Sequence, residues 1–255
     1  MKNILQPFLL SLIAGSATGI GGVIALIFGK FSNRVMGLFM GFAGGVMIVI
    51  SFLKLFFEAL TLLSYFEVTA AFTLGALLMM AVDLTLPHIE SGRWEKGVVD
   101  ARLLSSGFVI ALGMFLHNFP EGLVVSASYG HLPKLGLLMA LIICLHNIPE
   151  GIATATPLIL AGMGRFKSVA LAFISGLSEP IGALIGSTLL LTLGEGSGII
   201  GWGLALASGV MTYITVDELI PMAHEYSSRF HKHTVSIGLL IGMIFAQIIS
   251  LILKF

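Results

Sequence analysis

The chain has 255 residues, 57% of them hydrophobic and 10% charged, with a formal net charge of zero, and its mean hydropathy is +1.04. Soluble domains carry roughly 25% charged residues, so this composition excludes an ordinary soluble domain and places the chain in a bilayer. Its Lys and Arg are scattered through short segments without a basic stripe, which excludes nucleic acid as a partner.

The residues predict an all-α polytopic membrane protein, one integral domain over residues 1–255. A helix crosses the hydrocarbon layer with ~20 mostly apolar residues. Polar breaks divide the chain into eight such stretches, at about 4–28, 34–60, 67–87, 103–127, 135–160, 168–193, 199–223 and 234–253. The first lacks the short apolar core and small-residue exit of a cleavable signal, although Lys2 precedes it, and reads as a span. It carries Gly15 and Gly19, a four-residue spacing repeated by Gly41/Gly45, Gly182/Gly186 and Gly238/Gly242, which lets helix backbones approach closely in lipid. The second span holds Lys54 and Glu58, four apart and expected to pair with each other near the outer surface.

The third span ends at Asp83, with His88 and Glu90 beyond it in the longest polar connection. His117, Asn118 and Glu121 then fall near the centre of the fourth span, His146, Asn147 and Glu150 near the centre of the fifth, and Glu179 near the centre of the sixth. Cys144, the single cysteine, excludes an internal disulfide and reads as a small packing residue. The seventh span carries Asp217, Glu218 and His224, which with Asp83, His88 and Glu90 can line an acidic exit or simply form a polar rim. His224, Glu225, His231 and His233 can collect metal in the last cytoplasmic loop or, the simpler reading, form an ordinary solvated stretch before the last span.

Lys30 and Arg34, then Arg93, Lys96 and Arg102, then Arg165 and Lys167, then Arg229 and Lys232 all fall in alternate connections. The opposite side has Lys2, Lys134 and Lys254, so the positive-inside rule places both termini outside the cytoplasm. An even number of spans agrees with that asymmetry.

Ionisable groups at mid-membrane are costly and usually face a pathway or a partner. At ~100° per residue, positions i, i+1 and i+4 share one helix face, so each His-Asn-Glu set points one way. The fourth and fifth spans run in opposite directions, and the six-residue pattern His-Asn-x-Pro-Glu-Gly occurs at His117–Gly122 and again at His146–Gly151. The two copies can therefore face each other at one depth. Imidazole nitrogen with carboxylate and amide oxygen suits borderline and harder divalent cations, and the lack of thiolates argues against cuprous ion. Pro120 and Pro149 free the carbonyls of Leu116 and Leu145, and Pro180 that of Gly176, in a membrane that tolerates such groups only beside protein, water or an ion.

These two motifs resemble those of the ZIP (Zrt/Irt-like) metal transporters. Further similar stretches are Gly41–Met47, Leu86-Pro87-His88, Ser175–Glu179 and Val216–Pro221, so the resemblance extends over nearly the whole chain. It implies eight spans with both ends outside, passage of zinc and related divalent metals (iron, manganese, cobalt, cadmium) into the cytoplasm, a multi-pass location in the inner plasma membrane and homodimers. The metal would be cargo, and no resident cofactor is implied. The resemblance also implies one metal position at His117, Glu121, His146 and Glu150, and an adjacent one completed by Asn118, Asn147 and Glu179 and bridged by the glutamates. The His-Glu-x-x-His-Glu signature of one branch and the long His-rich loop of many eukaryotic members are missing, so metal preference is not carried over from those branches. Two other functions compete: a proton-coupled carrier of another solute, since Glu and His relay protons, and an intramembrane metalloenzyme, which lacks a His-Glu-x-x-His motif and a nucleophile here.

Overall fold

The structure is a computed structural model that describes residues 4–29, 31–85, 101–160, 162–193, 196–227 and 233–253, with the helical path alone for 101–112, 160 and 197. Among the described residues there are eight helical rods and no strand. They are α1 (Leu5–Phe28), α2 (Asn33–Leu60), α3 (Tyr65–Asp83), α4 (Ala101–His131), α5 (Pro133–Leu160), α6 (Arg165–Leu193), α7 (Gly198–Tyr226) and α8 (His233–Ile252). Seven of them are long and apolar enough to cross a membrane. The other, α4, is 31 residues long and is the rod that carries the first His-Asn-x-Pro-Glu-Gly copy. The chain is therefore a multi-pass membrane protein, and the eight stretches expected from hydropathy each coincide with one rod.

The rods begin and end where local chemistry dictates. Ser32 caps α2 by accepting a bond from the Val35 amide at 3.3 Å. At the start of α3, Ser64 Oγ accepts from the Glu67 amide while the Glu67 carboxylate accepts from the Ser64 amide at 3.0 Å, a reciprocal cap of two otherwise orphaned donors. After α1 the chain turns at Gly29, whose φ of 71° suits a residue without a Cβ.

Proline acts differently in the three rods that contain the polar centre. Pro120 and Pro149 lie inside α4 and α5, which stay helical through them. In α6 the helix is interrupted at Leu177, three residues before Pro180. Two further rods widen locally into π turns, α2 at Val49–Phe56 and α7 at Thr215–Leu219. The first is tied to α7 by Ser208 Oγ, which donates to the Ser51 carbonyl at 2.7 Å.

The rods pack in two groups. In one, α1 lies on α5 and α6, and α4 lies on α5 and α6; in the other, α2 lies on α7 and α8, and α3 lies on α7. The groups meet where α4 runs along α7 and α2 along α5. Association in lipid lacks a hydrophobic drive and relies on close backbone contact at small residues, and glycines provide it. A Cβ at Gly41 or Gly45 would strike the Val235 or Leu239 carbonyl of α8, and one at Gly238 or Gly242 would strike the Leu38 or Phe42 carbonyl of α2. On α3 and α8, Leu74, Leu77, Leu78, Leu240, Ile241 and Ile244 remain exposed on outward apolar faces.

This packing makes Gly45 and Gly203 inequivalent. A methyl at Gly203 meets only the Ala127 side chain, at 3.7 Å, whereas one at Gly45 collides with backbone. Gly45→Ala is expected to lower stability by about 1–3 kcal/mol, while Gly203→Ala is neutral or mildly stabilising through helix propensity. Thermal unfolding of both variants in detergent checks this, and equal melting would contradict the packing described.

Candidate metal centre

The six polar residues of the doubled motif and Glu179 are all buried, none more than 1% exposed. They arrive from three rods because the motif's last residue is a seat for a neighbour. A Cβ at Gly122 would collide with the Glu179 carbonyl of α6, and one at Gly151 with the Thr18 carbonyl of α1. Gly182 returns the first contact by abutting the Phe119 carbonyl. The glycine of each copy thus sets the depth at which α6 and α1 cross α4 and α5.

At that depth the two copies exchange partners. His117 Nε2 lies 3.1 Å from Glu150 Oε1, and His146 Nε2 lies 2.9 Å from Glu121 Oε1. Each histidine faces the glutamate of the other copy, as two antiparallel helices carrying one motif should place them. Glu150 Oε1 is also 3.6 Å from His146 Nε2 and so stands between both imidazoles. Donor atoms of His117, Glu121 and Glu150 all lie within 4.8 Å of one another, a spread that a single cation can draw together.

The two asparagines differ. Asn147 Nδ2 donates to the Ala14 carbonyl at 3.0 Å and to Glu179 Oε1 at 2.5 Å. Its nitrogen is therefore committed to α1 and α6, and its Oδ1 is left buried without a partner. Both polar atoms of Asn118 are unpaired as well, as are Oε2 of Glu121, Glu150 and Glu179. Buried polar atoms without partners carry a desolvation penalty, and buried carboxylates a larger one. Oxygens of this kind converging beside two imidazoles suit a divalent cation, which would satisfy them and offset their charge.

All seven residues singled out from the sequence lie in this region, His117, Glu121, His146 and Glu150 in one cluster and Asn147 with Glu179 beside it, while Asn118 adjoins His117 in sequence on α4. The sequence grouped Glu218 with an acidic exit but did not place it against the cluster: it sits in the widened turn of α7 with Oε2 3.4 Å from His117 Nδ1. The π turn rotates the residues that follow it, so the phase of a regular helix does not forecast where Glu218 points. Its side chain is 24% exposed, whereas His117, Glu121, His146 and Glu150 are buried. Of the other exit candidates, Asp83 accepts from the Tyr213 hydroxyl at 3.0 Å, Asp217 and His224 are exposed, and His88, Glu90 and His231 lie outside the described residues. Glu58 bonds to His131 Nε2 of α4 at 2.7 Å and also interacts with the charge of Lys54 one turn away, so it has a partner on α4 besides the one expected on its own helix. Cys144 is a free, half-buried thiol packed against the core.

Fold and site together define a polytopic membrane protein with a buried cluster of imidazole, carboxylate and amide groups where α4, α5 and α6 meet. The family model described as ZIP Zinc transporter matches residues 87–250. Curated relatives are similar over almost the full length. The Zinc transporter ZupT of Chlorobaculum parvum is 39% identical over 98% of this chain and 98% of its own. That of Chlorobium chlorochromatii is 36% identical over 98% of each chain, and that of Clostridium perfringens 34% identical over 99% of this chain and 97% of its own. The chain belongs to the ZIP family.

Asn147 offers a test of this geometry that needs no metal. Asn147→Leu keeps the volume but strands the Ala14 carbonyl and Glu179 Oε1, and a loss of about 1–3 kcal/mol is expected. Comparison of its melting in metal-free detergent with that of Asn147→Asp and the parent protein measures the loss.

Proposed function

We propose that the protein carries divalent metal cations across the inner plasma membrane into the cytoplasm, zinc first among them, with iron, manganese, cobalt and cadmium as further cargo. It is a transporter and not an enzyme. The observation that carries this reading is the crossed exchange of His117 with Glu150 and His146 with Glu121 at one buried level. One cation position uses these four residues. The adjacent, oxygen-rich position uses Asn118, Asn147 and Glu179, with Glu121 and Glu150 bridging the two. Glu218, in contact with His117 and partly exposed, is the step from the cluster toward the cytoplasmic end of α7. The metal is cargo, so no resident cofactor is involved.

The inward direction and the outward placement of both termini rest on family membership and on the alternate basic connections read from the sequence. The same membership supports a homodimer, for which the outward apolar faces of α3 and α8 offer surface. Paired imidazoles and carboxylates would also serve a proton-coupled carrier of another solute, but the family model and the relatives are described as zinc transporters, which favours the metal.

Purified protein in liposomes is expected to admit zinc or cadmium, and Glu150→Ala or His146→Ala to abolish the flux. Undiminished flux in both variants would defeat the pathway. For topology, cysteines introduced by Lys2→Cys and Lys254→Cys should react with an impermeant maleimide on intact cells, and one introduced by Lys167→Cys only after permeabilisation. The reverse pattern would invert the orientation.

A further inference from the structure

Helix α1 carries, against the glycine that ends the second motif, a polar residue that the motifs do not contain. Thr18 is fully buried, and its hydroxyl has no hydrogen-bond partner. A threonine inside a helix ordinarily donates to a carbonyl one turn back in its own rod. Several hydroxyls near the centre do so: Thr154 to the Glu150 carbonyl at 2.8 Å, Ser175 to Ala172 and Ser178 to Ser175, each at 2.8 Å. Thr18 does not, nor among the described residues do Ser11, Ser51, Ser128, Thr156 and Ser187, and what bears on Thr18 is its place at the crossing of α1 and α6.

Its position explains where the oxygen is aimed. Rods α1 and α6 cross at Gly15 and Gly176, where a Cβ on either glycine would collide with the other's carbonyl. Contacts then run from Gly15 with Gly176 to Gly19 with Phe173 to Gly22 with Val169, so the rods are antiparallel. Thr18 and Glu179 each follow their glycine by three residues. Side chains on a helix lean back toward its N-terminus, so on antiparallel rods these two lean toward the glycine contact from opposite sides. The distances agree. A Cβ at Gly15 would lie 3.2 Å from Glu179 Oε1, and one at Gly176 would lie 2.9 Å from Thr18 Oγ1. The bare glycines leave room for both oxygens. Asn147, bonded to Glu179 and to the Ala14 carbonyl of the same α1 turn, presents an unpaired Oδ1 nearby.

We propose that Thr18 supplies a neutral oxygen ligand to the cation position formed by Asn147 and Glu179, which makes α1 a lining helix of the metal path. This rests on the metal-carrying reading above. A hydroxyl beside amide and carboxylate oxygens makes that position harder than the one holding the two imidazoles. A thiol in its place makes the position softer.

The experiment compares the parent protein with Thr18→Val, Thr18→Ser and Thr18→Cys in proteoliposomes loaded with zinc or cadmium. Thr18→Val, which keeps the shape and loses the oxygen, is expected to raise the KM for zinc about tenfold, the scale on which supporting contacts alter metal affinity. Thr18→Ser restores the parent KM. Thr18→Cys shifts preference from zinc toward cadmium and shows a thiolate-to-cadmium charge-transfer band absent from the parent, which already contains Cys144. Parent-like KM in Thr18→Val, together with no band and no change of preference in Thr18→Cys, would overturn the assignment while leaving metal transport intact. A parent protein that admits neither metal would remove both. If Thr18→Val fails to fold, the cadmium band and preference of Thr18→Cys decide the matter.

Discussion

The structure depends on one exchange: the histidine of each His-Asn-x-Pro-Glu-Gly copy faces the glutamate of the other. Taking imidazoles and carboxylates out of water into a membrane interior is expensive unless they meet, and a single helix cannot satisfy its own set. Because positions i and i+4 point the same way, each copy offers its ligands outward as a block. The block is satisfied when a second, oppositely directed copy arrives at the same depth. Helices α4 and α5 are that pair, and Glu150, within reach of both His117 and His146, is where the two halves join.

Close backbone contact fixes the depth. Gly122 and Gly151 end the two motifs and admit α6 and α1, so the buried polar residues and the residues that seat the neighbouring rods belong to the same short segment. Glu179 and the Ala14 carbonyl arrive by this route and together hold Asn147. Across the seam between the two helix groups, α4 makes polar contacts with the other group through His117 with Glu218 of α7 at the level of the cluster and through His131 with Glu58 of α2 at its C-terminal end. Both are histidine–carboxylate pairs, whose strength depends on protonation. The rod bearing the first ligand set is thus joined to the second group by contacts that depend on charge as well as by apolar packing.

Much of this was legible in the sequence, and the parts that were not share a physical cause. Spans follow from hydropathy because lipid permits few other backbone solutions, and the doubled motif stands out because His, Asn and Glu are costly at that depth. Glu218 is just as visible as a residue, but the widened turn at Thr215–Leu219 changes the face on which it lies. The pairing of Glu58 with His131 joins residues on different rods, which the four-residue spacing from Lys54 to Glu58 does not announce. Thr18 gives no signal at all, since one threonine in an apolar run is normally satisfied by its own helix. Proline was an incomplete guide: Pro120 and Pro149 leave their rods continuous, whereas α6 breaks near Pro180.

The imidazoles also have second partners, and these bear on how a cation enters. His117 Nδ1 lies 3.4 Å from Glu218 Oε2, and His146 Nδ1 lies 3.4 Å from the Ile142 carbonyl. An acceptor on the Nδ1 side holds the ring in the tautomer whose Nε2 carries a lone pair, as the outer contacts of metal-bound histidines commonly do. In both residues that Nε2 points at a carboxylate oxygen of the opposite motif copy. With neither a proton nor a metal between them, a nitrogen lone pair and a carboxylate oxygen at about 3 Å repel each other. A proton on Nε2 makes the contact a hydrogen bond, and a dication between nitrogen and oxygen makes it a shared ligation. Both His–Glu contacts are thus short enough for one proton, or one cation, to be shared between nitrogen and oxygen, and a dication held there would take the place a proton can occupy.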